Sequence, residues 1–106
     1  MKRLIDYVKA IEGAASPYKI VSNDSHSETT HDATGSTIEI TKKVHHFEDG
    51  VSVEYKREYD DGGSSPGCKE FWYYYEVLNT NGFEFQGEKT KMFQNSSDIK
   101  RWLEDG

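Results

Sequence analysis

The chain has 106 residues, which is enough for one domain with a modest core. Its formal net charge of -6 disfavours nonspecific binding to nucleic acid or to anionic lipid and favours partners with basic surfaces. Aromatic residues make up 13% of the chain, which argues against disorder because disordered chains contain few aromatics. We therefore expect a single folded domain over residues 1–106.

The cellular compartment is predicted from cysteine usage and from the first residues. The single cysteine, Cys68, cannot form an internal disulfide, which fits a reducing cytoplasm better than secretion. Charged residues interrupt every apolar run near the start, so neither a signal peptide nor a membrane span is predicted. The sequence therefore predicts a cytoplasmic protein that does not bind membranes.

The first third of the chain is predicted to contain one helix and little other regular structure. Apolar residues at helical spacing predict a helix over residues 2–12, and Gly13 suits its end. Residues 18–22 are predicted to form a short strand. Residues 23–35 are polar throughout and are predicted to be a loop, with one alternative: residues 25–30 pair in a polar edge hairpin.

Strands are predicted through the middle of the chain. Residues 36–47 and 51–59 alternate in the manner of an antiparallel sheet, and Glu48-Asp49-Gly50 between them is a turn signal. The glycine-rich residues 60–67 are predicted to be a loop.

The most aromatic stretch, residues 68–79, is predicted to be the strand around which the chain folds. Period-two alternation separates its residues into two faces. The face predicted to be core carries Phe71, Tyr73, Tyr75 and Val77. The opposite face, which could contact a partner, carries Glu70, Trp72, Tyr74, Glu76 and Leu78.

The end of the chain completes an α+β pattern. Asn81-Gly82 predicts a type I′ hairpin turn, and residues 83–93 are predicted to be the last strand. Possible N-caps at residues 95–98 precede a short amphipathic helix that carries Trp102. The sequence therefore predicts an α+β fold: a single-domain antiparallel meander of four or five strands with both helices on one face.

No motif predicts an enzyme, a metal site or a cofactor. His45 and His46 are adjacent on a strand and would point to opposite faces, and no zinc-ligand spacing is present. Cys68 has acidic as well as basic neighbours, which predicts a packed thiol rather than a nucleophile. The stretch Gly62–Gly67 lacks the Gly-Lys-Ser/Thr ending of a phosphate-binding loop.

The distribution of acidic residues is more informative. Residues 48–61 contain six carboxylates and two basic residues. Two interpretations remain open: the acids keep solvated turns soluble, or they steer a basic partner. On the second interpretation, the candidate partner-binding residues are Glu48, Asp49, Glu54, Glu58, Asp60, Asp61, Glu70, Trp72, Tyr74 and Glu76.

Small size, acidity and the lack of a catalytic motif are together typical of small intracellular inhibitors. We expect a protein-binding inhibitor, such as a phage or mobile-element anti-defence protein of the anti-CRISPR kind. Its carboxylates would bind a basic, nucleic-acid-handling surface of the partner in place of the phosphates of the nucleic acid. The alternatives are an immunity protein with a cognate toxin and a small enzyme. Direct nucleic-acid binding through the aromatic strand is disfavoured, because it needs a basic groove.

Overall fold

The computed structural model describes residues 1–31, 33, 35–62 and 70–105. Helix α1 precedes a five-stranded antiparallel sheet with strand order β1-β2-β3-β4-β5, and helix α2 follows it. This arrangement confirms the predicted α+β meander. The elements are α1 (Leu4–Ile11), β1 (Ile20–His31), β2 (Thr37–Phe47), β3 (Ser52–Asp60), β4 (Glu70–Asn79), β5 (Thr90–Phe93) and α2 (Ser96–Asp105).

The core lies between the two helices and one face of the sheet. We call this the covered face, and the opposite side of the sheet the open face. The buried hydrophobic cluster joins residues of both helices to odd-numbered strand residues and to Val51, which precedes β3: Leu4, Tyr7, Val8, Phe47, Val51, Val53, Tyr75, Phe93 and Ile99. Both helices therefore pack on the same face, as predicted.

The predicted core face of β4 is only partly buried. Tyr75 is completely buried, and Tyr73 and Val77 pack against the cluster. Phe71 was predicted to be core but is 41% exposed and does not belong to the cluster. It pairs with Tyr59 near the far end of β3, beyond the strand residues that the helices cover.

Helix α1 is attached to the turn between β2 and β3. The Tyr7 ring stacks on Tyr18 at a centroid distance of 4.0 Å and meets the edge of Phe47 at 4.8 Å. The turn itself favours glycine at position 50, because φ is 89° there, a conformation that other residues rarely adopt, and an added Cβ would meet the Asn81 side chain. The Glu48-Asp49-Gly50 turn signal is therefore confirmed.

The loop predicted over residues 23–35 is wrong for most of its length. Strand β1 continues to His31 and pairs with β2 from Ser22 to His31, so the alternative of paired residues 25–30 is confirmed. Every residue of β1 after Ile20 is exposed. The hydrophobic pattern did not predict this strand because both of its faces contact water. A strand that is held by its backbone ladder alone needs no alternation of apolar residues.

The last strand is shorter than predicted. Asn81 and Gly82 both have positive φ, and Phe83 N–H donates to the Thr80 carbonyl at 3.0 Å, which confirms the turn. The chain then bonds to the amino terminus: Lys2 N–H donates to the Glu84 carbonyl at 3.0 Å. Of residues 83–93, only Thr90–Phe93 forms a ladder with β4, so most of the predicted 83–93 strand is wrong.

Two further predictions can be placed. Asn95 caps α2, because its Oδ1 accepts the backbone N–H of Asp98 at 2.8 Å. Cys68 and most of the predicted 60–67 loop lie outside the described residues. Within the described part of the chain, neither helix has the length and apolar character needed to cross a membrane.

Candidate partner-binding surface

The open face is built from the even-numbered residues of the strands. The antiparallel register places Trp72 opposite Glu58 and Tyr74 opposite Lys56, so these side chains share one side of the sheet. The next strand contributes Ile40 beside Glu58 in the same way. Seven of the ten candidate partner-binding residues lie on this face: Glu54, Glu58, Asp60, Glu70, Trp72, Tyr74 and Glu76.

Two aromatic rings lie near the centre of the open face. Trp72 and Tyr74 are half-buried although neither α1 nor α2 covers them. Lys56 Nζ lies 4.5 Å from the Tyr74 ring centroid and 3.5 Å from Glu58 Oε1, which places a cation between a ring and a carboxylate. Large amphipathic rings of this kind dominate the energetic centres of protein interfaces.

Aliphatic residues extend this aromatic centre. The open face also carries Ile38, Ile40 and Val44 of β2, and Met92 of β5, which lies opposite Tyr74 and is 52% exposed. Alternation within β2 is enough to place its three residues on one face, but it does not connect them with Trp72. The pairing register was the missing information, since it alone decides which faces of two strands coincide.

Charge is distributed very unevenly between the two faces of the sheet. Among the described strand residues, the open face carries seven carboxylates and two lysines: Asp24, Glu28, Glu54, Glu58, Asp60, Glu70, Glu76, Lys42 and Lys56. The covered face carries one carboxylate and three basic residues: Glu39, Lys43, Arg57 and Lys91. The negative charge of the sheet is therefore concentrated on the side without helices.

Several carboxylates on the open face lie at directly opposed positions of the ladder. Glu54 lies directly opposite Glu76, and Asp60 lies directly opposite Glu70, across the β3–β4 ladder. Like charges at directly opposed positions destabilise a sheet. Lys42 and Lys56 are also directly opposed. Two pairs of carboxylates therefore occupy unfavourable opposed positions in the β3–β4 ladder.

The remaining acidic candidates lie at the ends of the sheet. Glu48 and Asp49 occupy the turn before β3, and Asp61 follows its last residue. The nine residues of β3 span roughly 30 Å at about 3.3 Å per residue. Asp61 Oδ1 accepts the backbone N–H of Thr37 at 2.9 Å, so it joins β2 to β3. The structure does not bring these three acids together.

Asp49 is a structural residue, in contrast to the exposed turn carboxylate that the sequence predicts. Its Oδ2 accepts the Tyr7 hydroxyl at 2.6 Å and lies 3.1 Å from Lys2 Nζ. Burial alone would raise the pKa of Asp49, but hydrogen bonds from Tyr7, the Val51 backbone and Lys2 outweigh it and lower the pKa. Asp49 therefore holds α1 and the amino terminus to the turn.

The two adjacent histidines point to opposite faces, as predicted. His46 on the open face bonds Asp24 Oδ2 at 3.0 Å and Ser52 Oγ at 3.1 Å. His45 on the covered face is 8% exposed, and neither of its ring nitrogens has a hydrogen-bond partner among the described residues. Burial, with smaller effects of Lys43 and His46, lowers the pKa of His45 against the opposing effect of Glu12. The buried imidazole is therefore neutral near pH 7.

The described residues, 1–31, 33, 35–62 and 70–105, contain no candidate metal site. Nowhere among them do three or more His, Cys, Asp or Glu side chains come together in a group that could hold a metal ion.

A mostly apolar cleft of about 350 Å³ opens between the sheet and the ends of the helices. Its wall includes Tyr55 and Tyr75, and the Tyr75 hydroxyl donates to Glu12 Oε1 at 2.6 Å. Glu12 and Lys100 both line the cleft, so it carries both signs of charge.

Comparisons of the chain with protein-family models, with curated proteins and with solved structures find no match. Proposals about function therefore rest on the residues and their arrangement.

Proposed function

We propose that the protein is an inhibitor that binds another protein through the open face and covers a basic, nucleic-acid-handling surface of that partner. The observation that carries this proposal is the uneven charge of the sheet: seven carboxylates and two lysines share one face with half-buried apolar side chains and the exposed Met92. Carboxylates on that face would occupy positions that phosphates take on the same partner.

The rings and the acids have different roles in this proposal. Trp72 and Tyr74, together with the neighbouring Met92, provide an apolar centre that water leaves when a partner binds. The surrounding carboxylates steer a positively charged surface toward that centre and speed the encounter. Relief of the Glu54–Glu76 repulsion adds a favourable term that exists only in the complex.

The proposal is tested by capture of a partner with matched variants. Immobilised wild-type protein, Trp72→Ala and Phe83→Ala are exposed to the same lysate of the host cell, and bound proteins are quantified by mass spectrometry. Phe83 is the control because it is 40% exposed but lies outside the strands. We expect a protein with a basic surface to be retained by the wild type and by Phe83→Ala, and lost from Trp72→Ala.

Footprinting with hydroxyl radicals then locates the contact on the wild-type protein. Trp72 and Met92 should be protected from oxidation in the complex, whereas Met1, which is 85% exposed, should remain reactive. Equal capture by Trp72→Ala, or protection confined to the helices, would contradict the proposal. If the captured partner is a toxin that the protein neutralises, the protein is an immunity protein that uses the same surface.

A further inference from the structure

Strand β1 presents a long free edge. It pairs with β2 on one side only, and in the described part of the chain no strand pairs with its outer side. All residues from Val21 to His31 are exposed. An edge of this kind offers a row of backbone donors and acceptors to another strand.

The usual protective features of an edge strand are scarce in β1. The strand contains no proline and no lysine, and its one irregularity lies at its start, between Ile20 and Ser22. From Ser22 to His31 its ladder with β2 is regular. The only charged groups that protect this regular stretch are the carboxylates of Asp24 and Glu28. The position of these acids therefore decides which pairings the edge permits.

We infer that β1 pairs with β1 of a second copy of this chain, antiparallel, with Ser27 on the two-fold axis. This register places His26 opposite Glu28 of the second copy, and the symmetric pair repeats the contact. Ladder pairing extends from Asn23 to His31, which lies entirely within the regular stretch. The proposal is independent of the proposed function of the open face.

Neighbouring registers are less favourable. A two-fold axis at His26 would place Asp24 opposite Glu28 of the second copy, and an axis at Glu28 would oppose two Glu28 side chains; like charges at such positions destabilise a ladder. An axis at Ser25 pairs Asp24 with His26, but its ladder would include the irregular segment around Val21. The axis at Ser27 alone avoids both problems.

The His26–Glu28 contact that this register repeats between copies already exists within each chain. His26 Nε2 lies 3.8 Å from Glu28 Oε2 on the same face of β1. Antiparallel pairing about Ser27 brings two such pairs side by side, so each imidazole meets a carboxylate on both sides. The two-fold axis of this pairing is perpendicular to the sheet, so both open faces lie on the same side of the joined sheet. The dimer would therefore present one continuous sheet made from two five-stranded sheets.

Charge exchange tests this pairing. Sedimentation velocity at increasing protein concentration should show a monomer–dimer equilibrium for the wild type. His26→Glu opposes two carboxylates across the interface, so its dissociation constant should rise at least about tenfold, as expected for loss of a pair worth about 1.4 kcal/mol. The double variant His26→Glu/Glu28→His restores opposite partners and should recover most of the affinity. Both side chains are exposed, so thermal melting of the monomer should be unchanged.

Cysteine cross-linking tests the register. In a Cys68→Ser background, Ser27→Cys should form a disulfide-linked dimer, because directly opposed Cα atoms in an antiparallel ladder are about 4.5–5.5 Å apart, within the range of a disulfide. Ser25→Cys is the matched control and should cross-link poorly, since it faces Thr29 of the second copy. A monomer at all concentrations would overturn the proposal. A dimer whose dissociation constant does not change in His26→Glu would also overturn it. So would a dimer that cross-links best through Ser25→Cys.

Discussion

Tyr74 and Tyr75 are neighbours in the chain but belong to two regions with different roles. Tyr75 is completely buried on the covered face, where its hydroxyl bonds Glu12 and its ring lies 6.3 Å from that of Phe93. Tyr74 lies on the open face beneath Lys56 and remains accessible. The comparison shows that a strand of similar side chains stabilises the fold through one face and leaves the rings of its other face partly exposed.

The same contrast applies to charge. On the covered side, Asp49 is held by Tyr7 and Lys2 and supports the fold. On the open side, Glu54 and Glu76 face each other without a cation between them in the ladder. Asp49 therefore contributes to the fold through its hydrogen bonds, whereas like charges at directly opposed positions lower the stability of a sheet.

The largest expected effect is a direct test of the tyrosine pair. Tyr75→Ala should lower the free energy of unfolding by about 3–5 kcal/mol, because it removes a fully buried ring and leaves a cavity. Tyr74→Ala should cost about 1 kcal/mol or less, as is usual for surface sites. Urea unfolding of both variants checks this, and equal losses would remove the distinction between the two faces.

A smaller effect is expected from the acids of the turn. Asp49→Asn should lower the free energy of unfolding by about 1–2 kcal/mol, because the hydrogen bonds from Tyr7 and Lys2 lose their charged acceptor. The adjacent Glu48 is exposed, so Glu48→Gln should change it by less than about 0.5 kcal/mol. The two variants differ by one sequence position, and similar melting temperatures would contradict the structural role of Asp49.

Acidification should lower the free energy of unfolding because His45 is buried on the covered face. Its pKa in the folded state lies below the ordinary value of 6.5, so below about pH 6.5 the unfolded chain binds a proton that the folded chain does not. The free energy of unfolding should therefore fall as the pH is lowered from about 7.5 to about 5.5. His45→Gln should flatten this dependence, whereas the exposed His31→Gln should keep it. An unchanged slope in His45→Gln would refute the assignment.

The smallest expected effect has the opposite sign. Glu76→Gln removes one of two directly opposed carboxylates, so it should raise the free energy of unfolding by about 0.2–1 kcal/mol. Glu104→Gln on α2 is the control, because it changes the same charge away from the ladder. A loss of stability in Glu76→Gln would show that the facing acids do not repel in the folded protein.

The sequence predicted the covered region better than the open one. Alternation within residues 51–59 and the aromatic pattern around Tyr75 depend on burial, and burial leaves a periodic signal. Strand β1 has no such signal, because a two-sided polar edge is specified by its ladder with β2 rather than by apolar residues. The segment that follows Gly82 was mispredicted for a related reason: its backbone bonds to Lys2, a contact across almost the whole chain.

The candidate surface was predicted in part. Alternation alone placed Trp72, Tyr74 and the acids of β4 on one face, and the structure agrees. It did not show that the aliphatic residues of β2 lie on the same face. It also did not show that the Asp49 carboxylate accepts a hydrogen bond from Tyr7 within the fold. Both facts depend on contacts between distant residues, which periodicity within one strand does not contain.

Association kinetics with the captured partner test the central claim most directly. The double variant Glu54→Gln/Glu58→Gln is compared with Glu104→Gln/Asp105→Asn, which removes the same charge from α2. At two salt concentrations, the open-face variant should associate more slowly than the wild type and depend less on salt, while the α2 variant should behave like the wild type. Equal association rates and equal salt dependence in all three proteins would contradict a role for the open-face carboxylates in binding.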